Sequence, residues 1–373
     1  QPRLFLIIQI QHTVLLVDMR RLVPLLVLVG FGAVASAARA SDDLKDEFEA
    51  WIQRFGVSIH EPEYTKRMEI FEMNSKKIRS HNQNSNATFT LRHNAFSHLH
   101  WDEFRSMHLG FLPQEEGQGQ GEGAGAGDGK VGPPPPPPPP HRRVRAPAAA
   151  VDWEAKGATT PVKDQGQCGS CWAFSATEAI ESALYLTHGG DPTALSVQEV
   201  VDCTWLSLGC NGGQMDSAFR FAGRAGGLCK EEDYSYHAKS GSCKRKSCTP
   251  VDGSKVVSWV DVERGDEAAL RAALTLQPVS VAIEADQEAF QFYGGGVLTG
   301  ACGHRLDHGV LAVGYGEDAP TGLPFWKVRN SWGADWGEGG YVRLARGEGG
   351  RDGQCGILDS ASYPVLAKKA AAA

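Results

Sequence analysis

Two cysteines three residues apart, Cys168 and Cys171, sit where a polar, glycine-rich run meets an apolar one. The run is Gln165-Gly166-Gln167-Cys168-Gly169-Ser170, and Cys171-Trp172-Ala173-Phe174-Ser175 follows it. Ala176, Ala179, Ile180, Ala183 and Leu184 then recur at spacings of three and four, which places one stripe on one helix face. Gly169 and Ser170 are expected to turn and cap that helix, leaving Cys171 on its first turn. There a thiol meets unsatisfied backbone N–H groups and the positive end of the helix dipole. Both favour the thiolate, the reactive form of cysteine. Other readings stay open at this point. A Cys-x-x-Cys pair also suits zinc or a redox dithiol, and both cysteines could instead be disulfide-bonded. Zinc lacks a second ligand pair at the usual spacing, since Cys203 and Cys210 are seven apart. A redox site lacks the βαβ pattern before it; the residues preceding Gln165 read as a loop with prolines.

A thiolate nucleophile needs a base that pairs with it and later protonates a leaving amine. Of the twelve histidines, His304 and His308 lie in the strand-rich part of the chain, and His308 opens an apolar strand with Gly309 behind it. The imidazole in turn needs a third group to hold its ring and tautomer. Asn330 ends the strand pattern Phe325–Arg329 and precedes Ser331-Trp332-Gly333, so an indole is placed to shield that hydrogen bond from water. A lone histidine is more often a surface or core residue than a base. The order Cys, His, Asn favours the chemistry.

These groups need elements to carry them. The 373 residues suggest two or three units, and 42% apolar with 22% charged residues is ordinary for a globular core. A net charge of −7 without a large basic block argues against nucleic-acid binding. Residues 19–40 read as a signal peptide: Met19-Arg20-Arg21, an apolar core from Leu22 to Val34, and a small-residue cleavage site at Ala35-Ser36-Ala37 or Ala38-Arg39-Ala40. Residues 1–18 read as translated upstream sequence or a misplaced start, outside the working protein. The apolar runs 4–17 and 22–35 are each too short to span a bilayer, so no stable membrane anchor is expected. Nine cysteines behind a secretory start imply disulfides plus one odd thiol.

Residues 41–112 hold no cysteine and read as helical, with Phe48, Trp51, Ile52 and Phe55 at helical spacing. Glu63, Arg67, Phe71, Asn74, Ile78 and Asn82 then follow along one helix face. Residues 113–150 are low in complexity: a Gly/Glu/Gln/Ala run, then Pro133 to Pro140, then His141-Arg142-Arg143-Val144-Arg145. This is a linker, flexible and then rod-like, with a dibasic end exposed to cleavage; docking to an SH3-type module is the alternative use of such prolines. Residues 151–373 carry all nine cysteines, with helical patterns first and strand patterns second. Val279, Val281 and Ile283 alternate, Val310 to Tyr315 is an apolar run, and Tyr341 to Ala345 alternates again. The fold class expected is α+β, in two lobes with a cleft between them.

The series from Glu63 to Asn82 resembles the ERFNIN signature in propeptides of papain-like cysteine proteases. The Gly-x-Asn-x-Phe-x-Asp motif usual in that family falls on Arg92, Asn94, Phe96 and His98, so two of its positions depart. QGQCGSCWAFS, CNGG at Cys210 to Gly213, DHGVLAVGYG from Asp307 and NSWGADWGEGGY from Asn330 resemble a protease of the cathepsin L type. The resemblance implies a two-lobed fold, one lobe helical and one β-barrel-like, behind a helical inhibitory prodomain. It implies Cys171 as nucleophile, His308 as base and acid, Asn330 as its orienter, and Gln165 with the Cys171 backbone N–H as oxyanion donors. It implies disulfides Cys168–Cys210, Cys203–Cys243 and Cys302–Cys355, leaving Cys229 and Cys248, for which a fourth bridge is the expectation. Positions matching the family's substrate contacts are Gly212, Gly213, Gln214, Met215, Ala282, Leu306, Asp307, Gly309, Trp332 and Ser360.

The pocket for the residue two before the cut is then apolar, lined by Met215, Ala282, Leu306, Gly309 and Ser360 with Gln214 at its rim. Leu, Val or Phe are expected there, and arginine is disfavoured because its charge would go unpaired. No metal or organic cofactor is implied. Protein and peptide substrates, the chain's own propeptide and cystatin-type inhibitors are the expected partners of a monomer in the secretory pathway, whether lysosome, vacuole or extracellular space. Endopeptidase action is the default, and a catalytically silent binding protein on the same scaffold is the alternative. Half of the histidines (His60, His81, His93, His98, His100, His108) lie in residues 41–112, suggesting a charge change on mild acidification whose sign the sequence leaves open. Asn86-Ala87-Thr88 is a glycosylation acceptor sequence.

Overall fold

The computed structural model describes residues 5–10, 13–18, 43–113 and 148–367. The expected signal peptide and nearly all of the linker lie outside these residues. Contacts divide the described chain into two units, with the boundary between Asn74 and Ser75.

In the first unit, β1 (Phe5–Ile10) and β2 (Thr13–Asp18) pair antiparallel. Helix α1 covers residues 43–55, and α2 (Tyr64–Asn82) begins after a short 3-10 turn at Glu61–Glu63. The aromatic spacing of α1 has a direct consequence: Phe48 and Trp51 stack at 5.6 Å, and Phe71 of α2 closes on both at 5.2 and 5.4 Å. Arg67 reaches back one turn to Glu63 at 3.4 Å. Among the described residues no helix is long and apolar enough to cross a membrane.

The second unit begins within α2. Asn82 receives β3 (Phe89–Leu91), its amide side chain donating to Leu91 O at 2.8 Å and accepting from Leu91 N at 2.9 Å. Helix α3 (Trp101–His108) follows. The helical patterns of residues 151–373 become α4 (Cys171–His188), α5 (Val197–Cys203) and α6 (Met215–Ala225). Ser196 caps α5 by accepting from Glu199 N at 2.9 Å, and Gly226 ends α6 in the left-handed conformation at φ 83° that a glycine adopts without strain. Strands dominate the remainder: β4 (Val151–Asp152), β5 (Val256–Asp261), β6 (Val279–Ile283), β7 (Tyr293–Leu298), β8 (His308–Glu317), β9 (Pro324–Arg329), β10 (Tyr341–Ala345) and β11 (Ala361–Leu366), with short helices α7 (Glu267–Leu274) and α8 (Glu288–Gln291) between them. Together with β3 these eight strands form one nine-stranded sheet in the order β3-β7-β10-β9-β8-β6-β11-β5, with β4 added on β8. All the described pairings are antiparallel except β7 with β10.

Helix α4 is the joint between the helices and the sheet. Its apolar stripe is buried as the spacing predicts, but so is every other residue from Cys171 to Leu184. Three of the buried polar members, Ser175, Glu178 and Glu181, find partners beyond the helix, while the Thr177 and Ser182 hydroxyls have none among the described residues. Ser175 Oγ donates to Val310 O on β8 at 2.7 Å, and Ser280 Oγ on β6 donates to Ser175 O at 3.0 Å. Glu178 pairs with Arg329 of β9 at 3.0 Å with both side chains excluded from water, and Glu181 pairs with Lys163 at 2.5 Å. A buried ion pair specifies one docking of helix on sheet, because any slip leaves a charge unpaired. This fixes the N-terminus of α4 against the first residues of β8.

Candidate active site

Cys171 is the first residue of α4 and His308 the first of β8. The two elements approach so closely that a Cβ on Gly309 would lie 3.1 Å from Trp172 Cα and 3.2 Å from Trp172 N. Glycine suits this position, because a side chain would press the strand away from the helix end. Cys171 is the free cysteine among the described residues.

Ser170 occupies the N-cap position, but its side chain makes no capping bond. Its hydroxyl turns instead to the phenol oxygen of Tyr236 at 2.6 Å. The expected side-chain cap is therefore absent; Ser170 O takes the Ala173 and Phe174 N–H groups at 2.8 and 3.1 Å, and the Trp172 N–H is left to the thiol.

His308 is fully buried and its Nε2 lies 2.8 Å from Asn330 Oδ1. An amide oxygen can only accept, so Nε2 carries the proton and Nδ1 is left with its lone pair. That Nδ1 has no protein partner. Trp332 stacks on the imidazole at 4.7 Å and 30°, with 4% of its own surface exposed, and covers the His308–Asn330 bond from water. Asn330 Oδ1 also accepts from Ser331 N at 2.8 Å, which fixes the amide plane.

Burial decides the protonation of the pair in this form. It pushes the Cys171 thiol up to about 12, against the Gly309, Gly110 and Trp172 backbone groups that favour the anion. It pulls His308 down to about 4, although Asn330 favours its charged form. The sequence predicts a thiolate at the helix end. In the covered site the loss of solvent outweighs the helix dipole, and the neutral thiol–imidazole pair is the stable one.

Gln165 is fully buried, and its side chain is held from one side. Ser331 Oγ donates to Gln165 Oε1 at 2.7 Å, and Gln165 N donates to Ser331 O at 2.8 Å. Nε2 is thereby turned outward, where it donates to His108 O at 2.9 Å and to Cys168 O at 2.8 Å.

The cover is the chain's own residues 108–112. Gly110 N and Phe111 N donate to Asp307 O at 3.1 and 2.9 Å, Leu112 N donates to Gly213 O at 3.0 Å, and Gly213 N donates to Gly110 O at 2.9 Å. Gln214 Nε2 adds a bond to Leu112 O at 3.0 Å, and Leu112 lies over Gly212. Phe111 runs parallel to Gly213. Gly110 tolerates no side chain, because its Cβ would fall 2.0 Å from Gly169 O. Upstream of this segment, Phe96 and Phe104 pack edge-on against Trp332 at 5.6 and 5.1 Å, and β3 extends the sheet on β7. Arg92, at a position where the resembling family has glycine, donates to Asp335 O at 3.0 Å and Gly337 O at 2.5 Å.

Of the residues expected around the specificity pocket, Met215, Ala282, Gly309 and Ser360 are brought together. Met215 Sδ is 3.2 Å from the Gly309 Cβ position, Ala282 faces Gly309 across β6 and β8, and Ala282 N donates to Ser360 O at 2.9 Å. Leu306 packs on Gly356. Asp307 turns its carboxyl away to accept from Ala285 N at 2.8 Å, and burial raises that carboxyl to about 7. Disulfides join Cys168–Cys210, Cys203–Cys243, Cys229–Cys248 and Cys302–Cys355. Cys168 is therefore unavailable as a metal ligand or redox partner of Cys171. Glu199 lies beside Cys229 and Cys248, but both sulfurs are engaged with each other. Sequence reasoning missed the parts played by Ser331, which follows Asn330 directly, and by Tyr236, which no motif marks.

Comparison with known proteins agrees with this geometry. The profile of the family described as papain family cysteine protease matches residues 147–365, and that of the cathepsin propeptide inhibitor domain (I29) matches residues 48–104. Cysteine protease 1 of Oryza sativa subsp. japonica is 45% identical over 81% of this chain, which spans 59% of that relative's length. Cysteine proteinase COT44 of Brassica napus is 43% identical over 80% of this chain and 88% of its own. Among solved structures, a recombinant stem bromelain precursor superposes with a TM-score of 0.76 at 33% identity, covering 87% of this chain and 99% of that one.

Proposed function

The chain belongs to the papain family of cysteine proteases, and on that premise we propose that it is a thiol endopeptidase whose own residues 41–112 hold it latent. The thiolate of Cys171 adds to the scissile carbonyl, and Gln165 Nε2 with the Cys171 N–H receives the oxyanion. The imidazolium of His308 gives its proton to the departing amine, leaving a thioester. Water then adds, His308 takes its proton, and the acid leaves as the Cys171 thiolate and the imidazolium are restored. Asn330 holds the ring throughout.

The observation that carries this reading is the occupant of the cleft. Gly213 and Asp307, expected as substrate contacts, and Gln165, expected as an oxyanion donor, are each bonded to residues 108–112 of the same chain. A cleft that binds an extended peptide in this way binds peptide substrates, and stays closed while its own segment remains. Four disulfides suit an oxidising compartment and support entry into the secretory pathway through residues 19–40. Maturation by cleavage near Arg142-Arg143, a monomeric state and inhibition by cystatin-type proteins belong to the same proposal.

Titration of processed enzyme with an epoxide inhibitor tests it. One equivalent should abolish hydrolysis, Cys171→Ala should be inert, and a Phe-Arg dipeptidyl substrate should be cut far faster than Arg-Arg. Full hydrolysis by Cys171→Ala would overturn the reading, and equal turnover of the two substrates would overturn the apolar pocket.

A further inference from the structure

The turn from Gln165 to Ser170 carries the side-chain oxyanion donor at one end and leads into the backbone donor, Cys171, at the other. A single atom bonds both ends. The Tyr236 hydroxyl donates to Gln165 O at 2.8 Å and lies 2.6 Å from Ser170 Oγ. With the phenol proton committed to the carbonyl, Ser170 is the donor in the second bond. Ser170 is thereby taken away from the capping role its position would give it, which indicates that the bond to Tyr236 is the stronger claim on its hydroxyl.

The phenol is held in place by a segment that is itself tightly fixed. Tyr234 OH and Gly241 N both bond the Asp202 carboxylate at 2.7 Å. Gln198 spans the middle of the segment, accepting from His237 N at 3.0 Å and donating to Lys239 O at 2.7 Å. Tyr236 N donates to Glu231 Oε1 at 2.7 Å, and Cys203–Cys243 anchors the far end. Ala238 takes a left-handed φ of 54° and brings its Cβ to 3.2 Å from the Cβ position of Gly166, at the centre of the turn. The Tyr236 ring packs edge-on against Phe174 of α4 at 4.8 Å. Burial keeps the phenol protonated far above its ordinary range, so it donates at every pH at which the enzyme works.

We propose that Tyr236 is a positioning residue for the reaction, setting the separation between the Gln165 amide and the Cys171 N–H by clamping both ends of the turn that joins them. This rests on the assignment of Gln165 as an oxyanion donor, and the test separates the two. In processed, active-site-titrated enzyme, Tyr236→Phe should lower kcat about tenfold with KM unchanged, since misplaced donors are lost only in the transition state. Binding of a peptide aldehyde, whose adduct uses the same donors, should weaken by a similar factor. The rate and pH profile of Cys171 alkylation by iodoacetamide should not move, because no oxyanion forms in that reaction; a merely structural role would disturb both.

Gln165→Ala should cost about 100-fold in kcat, and Tyr236→Phe should add nothing in that background. Ser170→Ala removes one of the two bonds and keeps the test open if Tyr236→Phe does not fold; it should show the same pattern at about threefold. An unchanged kcat in Tyr236→Phe, or an equal loss with and without Gln165, overturns the proposal. Unchanged aldehyde affinity in Gln165→Ala overturns the donor assignment itself, and the proposal with it.

Discussion

Acidification should release the cleft through His108, and the structure supplies the sign that the sequence left open. The His108 ring is 4% exposed, lies 4.5 Å from Phe96 and 5.4 Å from Phe104, and its own carbonyl sits on Gln165 Nε2. The groups facing it are the Gly166 backbone, His98 and His308; the first favours the charged form, while the two histidines oppose it. Burial pulls His108 from its ordinary 6.5 down to about 4. The docked state therefore binds fewer protons than the released one. Docking is at full strength above pH 6.5, weakens as pH falls towards 4, and levels off below that.

From those two values, the drop from pH 7 to pH 5 weakens docking by about twentyfold, or about 2 kcal/mol. The Cys171–His308 pair contributes little to this slope, because release only passes a proton from sulfur to imidazole. The assay is alkylation of Cys171 in the intact precursor, normalised at each pH to processed enzyme, so that the ratio reports opening alone. The His108 contribution to opening should be about twentyfold between pH 7 and pH 5. His108→Phe keeps the ring stack and removes this titration, and its ratio should rise about twentyfold less than that of wild type. A ratio in His108→Phe that still rises as in wild type would refute the reasoning.

Three further outcomes follow from the packing. Gly110→Ala drives a Cβ into Gly169 O, so the precursor should show activity at pH 7 raised about tenfold or more, measured before any cleavage. Arg329→Ala leaves Glu178 buried alone and should cost about 3–5 kcal/mol in denaturant unfolding of the processed enzyme; Glu178→Gln combined with Arg329→Met should recover most of that. Thiol titration of unfolded, unreduced processed protein should count one thiol, Cys171, whereas three would mean that Cys229 and Cys248 are unpaired.

Much of this was legible in the residues. The three-and-four spacing after Cys171 marked α4, the alternation of Val279, Val281 and Ile283 marked β6, and the apolar run opened by His308 marked β8. The polar residues among Glu63 to Asn82 were also readable as more than a solvated face, and Asn82 indeed receives β3. What could not be read was set by contacts distant in sequence. Glu178 and Glu181 look like the wet side of α4 until Arg329 and Lys163 are placed against them. Ser170 reads as a cap because local rules see only the helix, whereas Tyr236 lies 66 residues away. The thiolate expected from the helix dipole was likewise a local inference; desolvation by burial is a tertiary effect, and it is the larger one here.

Activation depends on the passage of a proton from Cys171 to His308 when the cleft is uncovered. The direct measurement is the pH dependence of Cys171 alkylation in precursor and in processed enzyme, with His308→Ala processed enzyme alongside. The processed thiol should titrate well below the free value of about 8.5, the His308→Ala thiol near or above it, and the precursor thiol should stay protonated across the accessible range. A processed thiol that titrates at the free value with His308 present would contradict the account.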